Sequence, residues 1–257
     1  MVKDNSFKRA IQSGRRQIGI WSNLSSTLSV EIVAGAGFHW VVLDAEHGPS
    51  ELNEILSQLQ AISSYPVEPV VRIPANEKIV IKKFMDIGVL TFLVPFVETV
   101  EEARSVVAYT RYPPHGVRGV STANRANAFG RVKDYLKTAH ERVCILAQIE
   151  SRQGLDQLPG ILTVDGIDAA FIGPSDLAAS LGHLGNNGHP DVQAAIASAL
   201  KTCQKHGKPI GILTTVEADA RRNFEEGFAF VAVGSDMGLL ARGSEALRDK
   251  FRDVVPE

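Results

Sequence analysis

The stretch Gln17-Ile18-Gly19-Ile20-Trp21-Ser22-Asn23-Leu24 decides between two ways of building a parallel sheet. Residues 17–23 form a mostly apolar, β-prone run. A doubly wound sheet built around a nucleotide follows its first strand with a G-x-G-x-x-G turn, whose bare backbone approaches the phosphates. Here Gly19 lies inside the run, and Ser22, Asn23 and Leu24 follow it, so that turn is absent. Gly35 and Gly37 come where a helix ends, the usual place for glycine as a C-cap.

Seven further runs of the same kind occupy residues 40–46, 68–73, 89–97, 143–150, 167–173, 209–213 and 228–234. Most are continuously apolar, as strands covered on both faces should be. Apolar stripes with a period near 3.6 lie between them at 26–34, 50–63, 77–86, 99–110, 190–206, 216–226 and 237–251. The clearest carries Val192, Ala195, Ile196, Ala199, Leu200 and Cys203, which makes Cys203 a small core residue. Eight strand–helix units in 257 residues are the count and size of an α/β fold of one particular kind, a single (β/α)8 TIM barrel. We expect one barrel domain over residues 1–257, with a short helix before the first strand and another after the last. The longest connection, 111–131, is expected to be an active-site loop.

Composition narrows the function. A net charge of -2 provides no basic stripe for a nucleic-acid backbone. No apolar run approaches the roughly 18 residues of a spanning helix, and residues 1–14 contain no signal-peptide core, so a cytoplasmic location is expected. Two cysteines, Cys144 and Cys203, make neither a disulfide framework nor a zinc motif.

In a barrel of this type the chemistry gathers at the carboxyl ends of the strands. Those ends read Leu43-Asp44-Ala45-Glu46-His47-Gly48-Pro49, Val71-Arg72-Ile73-Pro74, Ala147-Gln148-Ile149-Glu150 and Gly173-Pro174-Ser175-Asp176. Glu150 and Asp176 follow adjacent strands and suit a hard divalent ion, Mg²⁺ first, with Mn²⁺ or Co²⁺ as substitutes. The other reading is a pair of acids at helix amino termini. His47 is either a proton acceptor or a hydrogen-bonded scaffold residue. Arg72, inside an apolar strand, needs an anionic partner, either a neighbouring carboxylate or a ligand. His39, His140 and His206 lie away from the mouth, whereas His115, His183 and His189 are placed in upper loops. No lysine occupies a strand end, so an imine mechanism is not expected.

These motifs, with Arg111-Tyr112-Pro113-Pro114, Gly116-Val117-Arg118-Gly119-Val120 and Phe171-Ile172-Gly173-Pro174-Ser175-Asp176-Leu177, resemble the metal-dependent pyruvate aldolases of the HpcH/HpaI family. The likeness runs in order from about residue 6 to 251. It implies a phosphoenolpyruvate/pyruvate-type barrel and a class II retro-aldol cleavage, with Glu150 and Asp176 holding the metal. Gln148 and the backbone at Ser175 and Asp176 would bind the pyruvyl part. His47 would be the base, acting through a metal-bound water or directly, and Arg72 would stabilise the enolate. Asp86 would reach a histidine of a neighbouring subunit, which implies a homo-oligomer, a hexamer built as a trimer of dimers. The expected substrate is a 2-oxo-4-hydroxy sugar diacid, 2-dehydro-3-deoxyglucarate, giving pyruvate and tartronate semialdehyde. Alternatives are 4-hydroxy-2-oxoheptanedioate, giving succinate semialdehyde, and an acyl-CoA lyase of the citrate-lyase type. Loops near Trp21, 121–125 and 214–216 are expected to set the choice of aldehyde.

Overall fold

The computed structural model describes residues 4–255. The chain opens with α1 (Ser6–Gln12), β1 (Gln17–Ser22), α2 (Thr27–Ala34), β2 (Trp40–Asp44), α3 (Leu52–Ala61) and β3 (Glu68–Arg72). It continues with α4 (Lys78–Asp86), β4 (Thr91–Val94), α5 (Val100–Thr110), the short α6 (Tyr135–Thr138), β5 (Cys144–Ile149) and α7 (Arg152–Leu162). The last third holds β6 (Ala169–Ile172), α8 (Pro174–Ser180), α9 (Pro190–Lys205), β7 (Ile210–Leu213), α10 (Glu217–Glu226), β8 (Phe230–Ser235) and α11 (Asp236–Asp249). The eight strands pair in chain order, all parallel, and β8 closes back on β1.

Strand alternation sorts the side chains into two cores. Val41, Leu43, Val71, Ile145 and Val231 face outward onto the helices. Trp40, Val42, Val70, Cys144, Leu146, Phe171 and Phe230 fill the barrel interior. Gly19 makes room there, because a Cβ at that position would collide with the Trp40 indole. The lower end is plugged by α1, whose Phe7 lies 5.6 Å from the Trp40 ring and 5.3 Å from Phe230.

All eight strand runs are present. Both cysteines are buried free thiols, and burial pushes the Cys203 thiol up to about 12, as its place in the α9 stripe predicts. Helix α7 is absent from the sequence-derived stripes: Leu155, Leu158, Ile161 and Leu162 have helical spacing, but Gly154, Pro159 and Gly160 lower the local helix propensity.

Three expectations fail for a topological reason. The 111–131 connection follows a helix, so in an alternating barrel it lies at the amino-terminal end of the strands, opposite the mouth. Arg125 there donates to the Ile87 carbonyl at 2.7 Å, and Arg118 to Asp86 at 2.6 Å, at the carboxyl end of α4. The segment is therefore not a lid on its own barrel, and residues 121–125 do not shape its mouth. His115 belongs to the same lower face, its ring 6.3 Å from His140 just before β5.

Helix α11 is unusual. Asp236 is its only buried residue, and Met237, Leu239, Leu240 and Leu247 are exposed. Leu28 and Ile32 of the adjoining α2 are exposed as well. Among the described residues no helix is long and apolar enough to cross a membrane.

Candidate active site

The inward-facing parity that packs the barrel with Trp40, Val42, Val70 and Leu146 reaches polar residues at the top. On β2 it arrives at Asp44, on β3 at Arg72, and on β5 at Gln148 and, two residues later, Glu150. Asp44 and Arg72 are direct partners in the β2–β3 register.

Asp44 is fully buried and collects donors from every side. Arg72 donates Nε to Oδ1 at 2.9 Å and Nη2 to Oδ2 at 2.6 Å. Trp21 Nε1 and Asn23 Nδ2 donate to Oδ2 at 2.9 and 2.8 Å. The backbone N–H groups of Glu46 and His47 donate to Oδ1 at 3.0 and 3.3 Å. Burial acts to raise the Asp44 carboxyl, but the hydrogen bonds and charge of Arg72, with the Trp21 and Glu46 donors, outweigh it and hold it below the ordinary value. Arg72 also lies over the Trp21 ring, 4.9 Å from its centroid. The anionic partner that the sequence demands for Arg72 is thus Asp44, in a bidentate pair, and the same network fixes where the following Glu46 and His47 emerge.

Arg72 Nη1 approaches Glu46 Oε2 at 2.9 Å without a hydrogen-bond angle, and that buried oxygen has no donor. Across the mouth, Glu150 is 2% exposed. Its Oε1 accepts from the Phe96 backbone N–H at 2.9 Å, and its Oε2 accepts from Gln148 Nε2. Phe96 adopts the left-handed region, φ 48°, a conformation a bulky side chain rarely takes. That geometry turns its N–H toward Glu150. Gly173 serves the same carboxylate, because a Cβ there would meet Glu150 Oε2 and the Gln148 amide. Gln148 Oε1 is buried without a donor.

His47 and Ser175 are exposed at the rim, and Asp176 is half-buried in the first turn of α8. Ser175 Oγ accepts from Asn187 Nδ2 at 3.3 Å. The sequence-derived set is therefore brought to one mouth, with one exception. Asp86 lies at the opposite end of its own barrel, held by Arg118 and by Asn124 Nδ2 at 3.2 Å. Asp44, Glu46 and the Phe96 backbone belong to the assembly but have no role assigned from sequence, and Trp21, expected only near a loop that selects the aldehyde, is a donor to Asp44.

Burial is the main cause that pushes the Glu150 carboxyl up to about 7, with Glu46 and Asp176 adding repulsion. Burial likewise raises Glu46, against the pull of Arg72. Carboxyl groups that part with their protons so reluctantly, because nothing nearby compensates their charge, beside orphaned Glu46 and Gln148 oxygens, are a donor set suited to a hard divalent cation. In the metal-free protein the sign of the pH effect follows. The folded state keeps a proton on Glu150 that the unfolded chain releases above its ordinary value of 4.5. Stability is then fully present below about 4.5 and is lost as pH rises to about 7, by roughly 3 kcal/mol. Urea unfolding in EDTA should show this decline, and Glu150→Gln should flatten it; an unaltered slope in the variant would remove Glu150 as its source.

A profile described as HpcH/HpaI aldolase/citrate lyase matches residues 17–243. The chain belongs to the HpcH/HpaI aldolase/citrate lyase family. Within its reach is a 5-keto-4-deoxy-D-glucarate aldolase from Escherichia coli O6:H1 strain CFT073, 52% identical over 251 residues, covering 98% of each chain. Among solved structures, an HpcH/HpaI family protein from Burkholderia cenocepacia J2315 superposes with a TM-score of 0.94 at 39% identity. That match covers 96% of this chain and 99% of the other. An HpcH/HpaI aldolase from Desulfitobacterium hafniense DCB-2 gives 0.88 at 26% identity, covering 97% of both. In the vocabulary of the HpcH/HpaI family the chain is a carbon–carbon lyase, and its eight described strands close into one parallel barrel.

Proposed function

We propose that the chain is a divalent-metal-dependent class II aldolase that cleaves 5-keto-4-deoxy-D-glucarate to pyruvate and tartronate semialdehyde, and runs the reverse addition. Counted from its oxo end this substrate is a 2-oxo-4-hydroxy diacid. The observation that carries the reading is the mouth itself, where Glu150, Asp176, Arg72 and His47 converge with no lysine among them, in a chain half identical to an aldolase of that name.

A divalent cation held by Glu150 and Asp176 supplies an electron sink beside the 2-oxo group. The protein's own part is positioning and charge. Arg72, fixed by Asp44 and by the Trp21 ring, presents Nη1 toward the mouth where negative charge develops on the enolate. Gln148 and the backbone at Ser175 and Asp176 orient the pyruvyl carboxylate. His47 takes the proton of the 4-hydroxyl, and the C3–C4 bond breaks with its electron pair passing into the enolate.

By the same reading the working form is a homo-oligomer, a hexamer built as a trimer of dimers. Asp86, remote from its own mouth, serves the His47 of another copy there. The exposed apolar side chains of α11 and α2 support association, because a lone molecule seldom leaves such a face bare. The cation is Mg²⁺, replaceable by Mn²⁺ or Co²⁺, and the protein works in the cytoplasm.

Substrate choice is tested by kcat/KM for 5-keto-4-deoxy-D-glucarate, 4-hydroxy-2-oxoheptanedioate and a β-hydroxyacyl-CoA thioester. The sugar diacid should lead the heptanedioate, which lacks the 5-hydroxyl and is one methylene longer, by about 10-fold or more, the least that one methylene is worth in a pocket. Equal or better cleavage of either competitor would refute the assignment.

A further inference from the structure

Two histidines singled out in the sequence and unused by the mechanism, His183 and His189, come together on the segment between α8 and α9. Gly182, at φ 85°, ends α8 and turns the chain, and the His183 N–H donates to the Ala178 carbonyl at 2.7 Å. Two further turns follow, the Asn186 N–H to the His183 carbonyl at 2.9 Å and the His189 N–H to the Asn186 carbonyl at 3.1 Å. They fold the chain back so that the His183 and His189 rings stack, 3.5 Å between centroids and 14° from parallel. Asp191, in the first turn of α9, closes the group: its Oδ2 lies 3.1 Å from His183 Nε2 and 3.7 Å from His189 Nδ1. One ligand atom from each residue lies within 4.8 Å of the other two.

We propose that His183, His189 and Asp191 form a second metal site, specific for a borderline first-row cation, Zn²⁺ above all. The chemistry differs from that of the mouth. Imidazole nitrogen suits Zn²⁺, Ni²⁺ and Cu²⁺, whereas Mg²⁺ takes oxygen ligands and keeps its water. The distances suit it too. Two ligand atoms on a tetrahedral zinc, each about 2.0–2.1 Å from it, stand about 3.4 Å apart, and the two measured separations to Asp191 Oδ2 fall on either side of that value. His189 Nδ1 accepts the Asp191 backbone N–H at 3.2 Å, so this nitrogen is unprotonated, and a metal bound there would take the place of that capping hydrogen bond. Seating the ion requires the stacked rings to fan apart at the edge facing Asp191. The Asp191 side chain is 72% exposed, which leaves the fourth position to water.

The site would pin the 182–191 segment beside the mouth. Gln193 Nε2 donates to the Asn187 carbonyl at 2.8 Å, and the Asn187 side chain holds Ser175 Oγ. The inference does not depend on the aldolase reading, because it concerns binding alone.

The full-length protein, stripped of metal and re-equilibrated with millimolar Mg²⁺, is titrated with Zn²⁺ by calorimetry, and retained zinc is counted after desalting. Wild type and Glu150→Gln should each retain one Zn²⁺ per chain against the Mg²⁺. His183→Ala, and His189→Asn, which keeps a helix-capping side chain, should bind it about 100-fold more weakly or worse, beyond the usual loss for an outer hydrogen-bonding partner. Co²⁺ in place of Zn²⁺ should give the visible bands of a four-coordinate ion in wild type and lose them in both histidine variants, with circular dichroism unchanged. Zinc that Mg²⁺ displaces, zinc lost in Glu150→Gln, or equal retention by the histidine variants would each overturn the proposal.

Discussion

Glu150→Ala should lower kcat/KM for aldol cleavage by about 10³-fold or more and abolish retention of the divalent cation at the mouth, with the barrel intact by circular dichroism. The expected size reflects several kcal/mol of charge stabilisation at the oxo group. The structure makes Glu150 an unusually committed residue. It is buried, oriented on one oxygen by the Phe96 N–H and on the other by the Gln148 amide, and given room by Gly173. Glu150→Gln is the sharper comparison because it preserves volume and removes charge. If Glu150→Gln bound the cation and turned over at wild-type rates, the carboxylate would be structural and the assignment of the metal site wrong.

Arg72→Ala should produce two losses that separate by measurement. Cutting the guanidinium from the buried Asp44 leaves that carboxylate with its remaining donors but without its counter-charge, and breaking a buried pair costs about 3–5 kcal/mol. Chemical denaturation reads that cost. Turnover should fall by about 10²–10³-fold, the usual price of one lost donor at a developing oxyanion, while calorimetry shows the mouth cation still bound. Arg72→Lys keeps the charge but not the two-pronged fork, so it should recover more stability than activity. A variant that lost stability yet cleaved substrate normally would reduce Arg72 to a structural partner of Asp44.

The strands were legible because burial on both faces leaves nearly uninterrupted Val, Ile, Leu and Phe runs, and the absence of a glycine-rich turn after β1 removed the rival topology. Helix α7 was less legible: Leu155, Leu158, Ile161 and Leu162 keep helical spacing, but Gly154, Pro159 and Gly160 are poor helix formers, and the tertiary context of the barrel overrides that local weakness. The 111–131 connection has the length of a functional loop, but it follows helix α5 and precedes β5, and that order places it on the lower face.

At the site, the strand-end acids, Arg72, Gln148 and His47 were legible as polar residues ending apolar runs. The Asp44–Arg72 pair was within reach as well. Each is the fifth residue of its run, counting from Trp40 and Glu68, and those two residues are register partners. Only the pairing register turns that coincidence into a contact. The Phe96 backbone and the stacked His183–His189 pair depend on loop torsions that no periodicity encodes.

The central claim is that the mouth generates a pyruvate enolate with the help of a divalent cation and Glu150. Exchange of pyruvate methyl protons with solvent deuterium, followed by proton NMR, reports that step without needing the aldehyde partner. Rapid exchange with Mg²⁺ or Mn²⁺, abolished by verified metal removal and by Glu150→Ala, is the result expected. Exchange that persists in the stripped protein at an undiminished rate would contradict the account.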